Sequence, residues 1–237
     1  MTLEALLRHP ALWQGRQQQQ QSHRETLSSG YPQLDAVLPS HGWPVGALTE
    51  IMTSCSGIGE LSMLMPALRQ LTRQQHWVAL IAPPHVPYAP ALIEAGLDLD
   101  RTLVVDSDTS GNPKEKQKND FWATEQLLRS GIFSAVILWS GRHSNDRTQR
   151  RLQLAAEHGK CWAVCYRPEY AAKSASPAGL RMILKQQQQQ LYIDIIKNRG
   201  GKLHQLSLQQ KPAATSHISS LQHRQATAMT PTPLSPG

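Results

Sequence analysis

The sequence predicts an α/β fold: a mainly parallel sheet flanked by helices, with antiparallel strands added late in the chain. Three observations predict it. Apolar runs of strand length alternate with stretches of helical periodicity. Two of these runs, HWVALIAPP at 76–84 and FSAVILW at 133–139, are nearly continuous in apolar residues, as strands covered on both faces must be. The last three candidate strands follow one another without intervening helices, which points to antiparallel pairing.

Residues 1–26 read as an arm. Leu3, Leu6, Leu7, Leu12 and Trp13 line one side of a short helix interrupted at Pro10, and Gln17 to Gln21 form a low-complexity linker. Residues 27–208 read as the folded core. Tyr31, Leu34, Val37 and Leu38 have helical spacing, and HGWPVG at 41–46 is a loop. ALTEIM at 47–52 is a strand, TSCSGIG a loop, and Glu60 to Gln74 an amphipathic helix on Leu61, Leu64, Met65, Leu68 and Leu71. Pro66 inside that pattern predicts a kink or a tighter turn.

After the HWVALIAPP strand come a helix over Tyr88 to Gly96 and a strand over Arg101 to Asp106. Ser107 to Lys118 is polar and turn-rich and reads as a flexible loop. Asp120 to Ser130 is a helix with Trp122, Glu125 and Arg129 on one stripe. A helix over Asn145 to His158 and a strand over Cys161 to Tyr166 continue the alternation, and Pro168 to Ser176 is a loop. Strands at Leu180 to Leu184 and Leu191 to Ile196 are joined across Gln186 to Gln190, and LHQLSL at 203–208 pairs with the strand before it. Residues 209–237 carry no periodicity and read as a disordered tail.

Lys and Arg number 24 against 17 Asp and Glu, a formal charge of +7 that suits an acidic partner or a basic tail. Three cysteines make no disulfide framework. Cys161 and Cys165 read as small buried hydrophobes, with no further ligands nearby to make a metal site. No apolar run approaches the roughly 18 residues of a membrane span, and the N-terminus lacks a signal pattern, so a cytoplasmic location is expected.

The stretch from Leu27 to Leu68 organises the chain: strand, Gly/Ser-rich loop, helix. That is the layout of a phosphate-binding loop. The chemistry departs from it. Such a loop needs a lysine for the β/γ-phosphates and a Ser or Thr for the metal ion. Here Ser56, Gly57 and Gly59 are followed by Glu60 and Leu61. A carboxylate about 4 Å from a phosphate costs roughly 4 kcal/mol at an effective dielectric near 20. The loop is therefore read as degenerate, with no cofactor, no catalytic residue and no ATP hydrolysis.

LSSGYPQLDAVLPSHGWPVGALTEI, with the loop and helix after it, resembles the start of a RecA-like ATPase core. The blocks LPSHGWPVGALTEI, GIGELSMLMPAL, APPHVPYAPAL, LLRSGIFSAVILW, RRLQLAAEHG, YRP and IIKNRGG resemble the ImuA family of SOS-associated accessory proteins of translesion DNA synthesis. The shorter SulA family of SOS cell-division inhibitors is similar to the same reduced core. Against the RecA pattern two further positions fail. FSAVILW ends in Trp139 and Ser140 where a magnesium-binding carboxylate would stand, and HWVALIAPP runs into Pro83 and Pro84 in place of a water-activating glutamate.

The ImuA resemblance implies a non-catalytic role in mutagenesis. Its partners would be a Y-family polymerase-like protein and an error-prone replicative-type polymerase, with RecA or DNA as further contacts. The SulA resemblance implies the alternative, a division inhibitor that binds the tubulin-like protein FtsZ. The long segment before Glu50 and the KNRGG block favour the first. Candidate partner or DNA contacts are Lys197 and Arg199 on the KNRGG turn and Arg142, Arg147, Arg150 and Arg151 on one helix face, each equally readable as solvated. Trp43 and Tyr88, beside prolines, are candidate contact aromatics, with core or loop packing the favoured reading of both, and His85 and His143 are polar core or loop residues.

Overall fold

The computed structural model describes residues 25–107, 112–141, 145–188 and 190–209. Apart from Glu25, Thr26 and Gln209, the expected arm and tail lie outside them. A two-stranded ribbon pairs β1 (Thr26–Leu27) with β2 (Trp43–Pro44). The main sheet has eight strands: β3 (Ala47–Thr53), β4 (Trp77–Ile81), β5 (Thr102–Val105), β6 (Phe133–Trp139), β7 (Trp162–Pro168), β8 (Leu180–Gln187), β9 (Gln190–Asn198) and β10 (His204–Gln209). Their order across the sheet is β10-β9-β8-β3-β7-β6-β4-β5. From β8 to β5 every pairing is parallel, while β9 and β10 add antiparallel hairpins at one edge.

Alternation along the strands feeds two cores. Ile51, Val78, Leu80, Ile137, Trp162 and Val164 face one side. There they meet α1 (Pro32–Asp35), α2 (Glu60–Arg73) and α3 (Ala89–Glu94). Leu48, Ala79, Ile81, Val136, Leu138 and Cys165 face the other, against α4 (Pro113–Arg129) and α5 (Asp146–Gly159). Gly159 is required where those two helices meet, since a Cβ there would lie 1.8 Å from the Leu128 carbonyl oxygen.

Two expectations are corrected here. Residues 113–118 are helical, not loop. The Asn112 side chain accepts the Lys114 N–H at 3.0 Å, Pro113 opens the helix, and Lys116 lies 3.7 Å from Asp120 one turn on. Solvated charge hid a capped helix start. Residues 169–173 likewise form a short 3-10 turn inside the expected loop.

Pro66 does not break α2, which runs unbroken from Glu60 to Arg73. A proline amide cannot bond the carbonyl four residues back, here that of Ser62. The Tyr31 hydroxyl reaches that oxygen at 3.5 Å, and burial holds its pKa above the ordinary tyrosine value, so the donor stays protonated. The preceding turn fits the proline ring. Gly30 has φ +79°, and a Cβ on it would sit 2.4 Å from Pro66 Cβ. Gly30→Ala therefore combines a left-handed backbone with a clash, and a loss of about 1–3 kcal/mol is expected in the urea unfolding midpoint.

Candidate functional site

A cleft of about 770 Å³ opens at the carboxyl ends of β3, β6 and β7. The chain leaving β3 crosses to α2 on one face, and the chain leaving β6 crosses to α5 on the other. Ligand sites of open parallel sheets lie at such a divergence. Ser54, Cys55, Ser56 and Glu60 form one wall, Trp139 and Ser140 a second, Tyr166 and Arg167 a third.

The loop before α2 is wound as an anion cradle, with Gly57 at φ +81° and Gly59 at φ +86°. Its occupant is its own side chain. The Glu60 carboxylate accepts the Gly57 N–H at 3.1 Å through Oε1 and the Ile58 N–H at 3.0 Å through Oε2. It is buried and sits in the first turn of α2, where the helix dipole favours a negative charge. Two amides of this loop are thus held by the side chain that follows it. Leu61 packs against the core.

Tyr166 holds the other end of this arrangement. Its hydroxyl donates to the Glu60 carbonyl at 2.7 Å, and its ring stacks on Trp139 at 5.1 Å with planes 24° apart. Burial, then the Glu60 charge, raises the phenol well above its ordinary pKa, so it remains a donor. Ser140 hydroxyl and amide both donate to the Tyr166 carbonyl at 3.0 Å. The end of β6 is thus spent on holding β7. Pro84 lines the cleft as an exposed loop residue.

Beneath the cleft runs a buried ionic ladder across four adjacent strands. Glu50 on β3 pairs with Arg167 on β7 and with Arg181 on β8, each at 2.7 Å. Ser176 donates to the same carboxylate at 2.8 Å. Arg181 also donates to the carbonyls of Ser174 at 3.0 Å and Ala171 at 2.8 Å. Lys197 on β9 lies opposite Arg181 and donates to the Ser176 carbonyl at 2.6 Å. Burial, then the neighbouring Arg199 and Arg181, lowers the Lys197 pKa, and Glu50 opposes the shift.

The candidate contacts therefore separate. Lys197 is half-buried and reaches this ladder through the Ser176 carbonyl. Arg199 is exposed, its backbone amide donating to Gly179 at 2.8 Å. Arg147, Arg150 and Arg151 lie exposed on α5, with Arg151 ion-paired to Glu125 of α4. Arg142 and His143 lie outside the described residues, and His85 is exposed.

Trp43 is not a surface aromatic. It is fully buried in the first core and stacks on Trp162 at 5.2 Å. Tyr88 is exposed. Cys161 and Cys165 are buried, and burial raises both thiols, that of Cys165 to about 11. Among the described residues no group of three or more His, Cys, Asp or Glu is placed to hold a metal, and no helix is long and apolar enough to cross a membrane.

Glu50, Tyr166 and Arg181 carry the arrangement, and sequence reasoning singled out none of them. The available signal was a lone acid inside the apolar run ALTEIM.

Residues 46–163 match the sequence model of a family described as cell division inhibitor SulA. That span runs from the turn before β3 into β7. The chain is 28% identical over 130 residues to the cell division inhibitor SulA of Pectobacterium atrosepticum, covering 55% of this chain and 73% of that protein. It is 31% identical over 119 residues to SulA of Photorhabdus laumondii, covering 50% and 63%. With SulA of Yersinia pestis it shares 25% over 146 residues, 62% of this chain and 79% of the relative.

These matches overturn the ImuA reading. The translesion-synthesis role and the polymerase partners it implied are set aside. The blocks that suggested them are segments of the core itself, such as the loop and α2, β6, and the second half of α5. The KNRGG block that favoured ImuA supplies Lys197 to the ladder.

Three variants test the site. Glu60→Ala leaves two loop amides without their acceptor and is expected to cost about 1–3 kcal/mol by thermal denaturation, with Glu60→Gln costing less because one oxygen remains. Glu50→Ala strands two buried arginines and is expected to cost about 3–5 kcal/mol by chemical denaturation.

Proposed function

We propose that this chain is a SulA-like SOS cell-division inhibitor that acts by binding FtsZ and blocking its polymerisation. The match of residues 46–163 to the division-inhibitor family is the observation that carries this reading. The self-filled loop supports it from the chemistry. A site whose amides are taken by Glu60 is not arranged for nucleotide turnover, and the protein acts by contact, without catalysis. The core is read as a RecA-like scaffold. Its support is the strand, glycine loop and helix at β3–α2, together with a parallel sheet extending on both sides of β3. Action on FtsZ places the protein in the cytoplasm.

Expression of the chain in a rod-shaped bacterium is expected to give filaments, and FtsZ variants that escape inhibition are expected to restore division. With purified proteins, FtsZ sedimentation and GTP turnover should fall as the chain is added. Normal division together with unchanged FtsZ polymer would refute the reading.

A further inference from the structure

We propose that the outer face of α4 and α5 is the surface on which an acidic protein partner docks. Trp122 is the exposed one among the five described tryptophans, at 62%. It lies one turn before Glu125 and two turns before Arg129 on α4. Glu125 joins the helices, since Arg151 of α5 and Arg129 of α4 both pair with its carboxylate. Arg147, one turn before Arg151, and Arg150 beside it are exposed, and Leu154 follows at 50% exposure. Two arginines meet the Glu125 carboxylate, and with Arg147 and Arg150 they outnumber Glu125 and the exposed Asp146 and Glu157 of α5 by four to three, leaving a slightly positive face with an apolar side chain on each helix.

Trp and Arg around an apolar centre are the residue types that dominate protein interfaces. The charge excess selects a carboxylate-bearing partner. A nucleic-acid backbone fits less well. Glu125 occupies two of the arginines and opposes phosphate, and a phosphate chain would leave Trp122 and Leu154 uncovered.

This inference rests on the reading of the chain as an inhibitor of FtsZ, which is the partner used to test it. FtsZ sedimentation with GTP is titrated with the full chain, with Trp122→Ala, with Arg147→Glu/Arg150→Glu and with Arg147→Lys/Arg150→Lys. Melting temperatures verify folding. Both disruptive variants are expected to need about tenfold more protein for half-inhibition, and the lysine pair is expected to stay close to the parent. Equal inhibition by folded disruptive variants overturns the docking face and leaves the function standing. No inhibition by the parent chain overturns both. A fluorescein-labelled DNA duplex at about 150 mM salt is the second probe. Loss of DNA binding in the glutamate variant, with FtsZ inhibition unchanged, makes the face a nucleic-acid surface and also overturns the proposal.

Discussion

The Glu50 carboxylate, fully buried between two arginines, is the interaction on which the architecture depends. It lies on β3, and its partners lie on the strands to either side. An ion pair in that position is costly to desolvate and tolerable only when every charge is met. The surplus of cations is met by backbone carbonyls at Ala171, Ser174 and Ser176, so the segment after β7 is drawn over this face of the sheet. Lys197 extends the same logic onto the antiparallel hairpin. One carboxylate thus fixes where the parallel half of the sheet joins the antiparallel half.

The cleft above it follows the same economy of polar groups. Donors and acceptors that would be free in a ligand site are used internally: loop amides by Glu60, the Tyr166 hydroxyl by the Glu60 carbonyl, the Ser140 hydroxyl by the Tyr166 carbonyl. The Trp139 ring stacks on Tyr166 in the wall of the cleft. The same economy repairs α2, where Tyr31 comes within reach of the carbonyl that Pro66 leaves without an amide.

The order of strands and helices was legible in the sequence because buried strands such as FSAVILW and amphipathic helices such as α2 write their period directly into the residues. The start of α4 was not, because PKEKQK is solvated and its cap, Asn112, sits in a polar run with no apolar period to mark it. In the site, the glycine loop between β3 and α2 was legible. That Glu60 turns back onto its own loop was not, since this depends on two left-handed glycines acting together. Burial of Trp43 was legible as the favoured of two readings, whereas the reach of Lys197 to the Ser176 carbonyl was not, since it depends on a segment distant in sequence. Family likeness misled where shared core segments were read as function.

A loop that carries its own anion has no empty state and no loaded state. Proteins that bind and hydrolyse nucleotide can time their action by occupancy, because the bound phosphate differs before and after turnover. Here the equivalent charge is covalently part of α2 and is present whenever the chain is folded. The molecule has no internal clock at this site. On the proposed reading of the chain as an inhibitor, its influence on a partner is governed by how many copies exist, so synthesis and removal of the chain take the place that binding and release hold in a nucleotide switch.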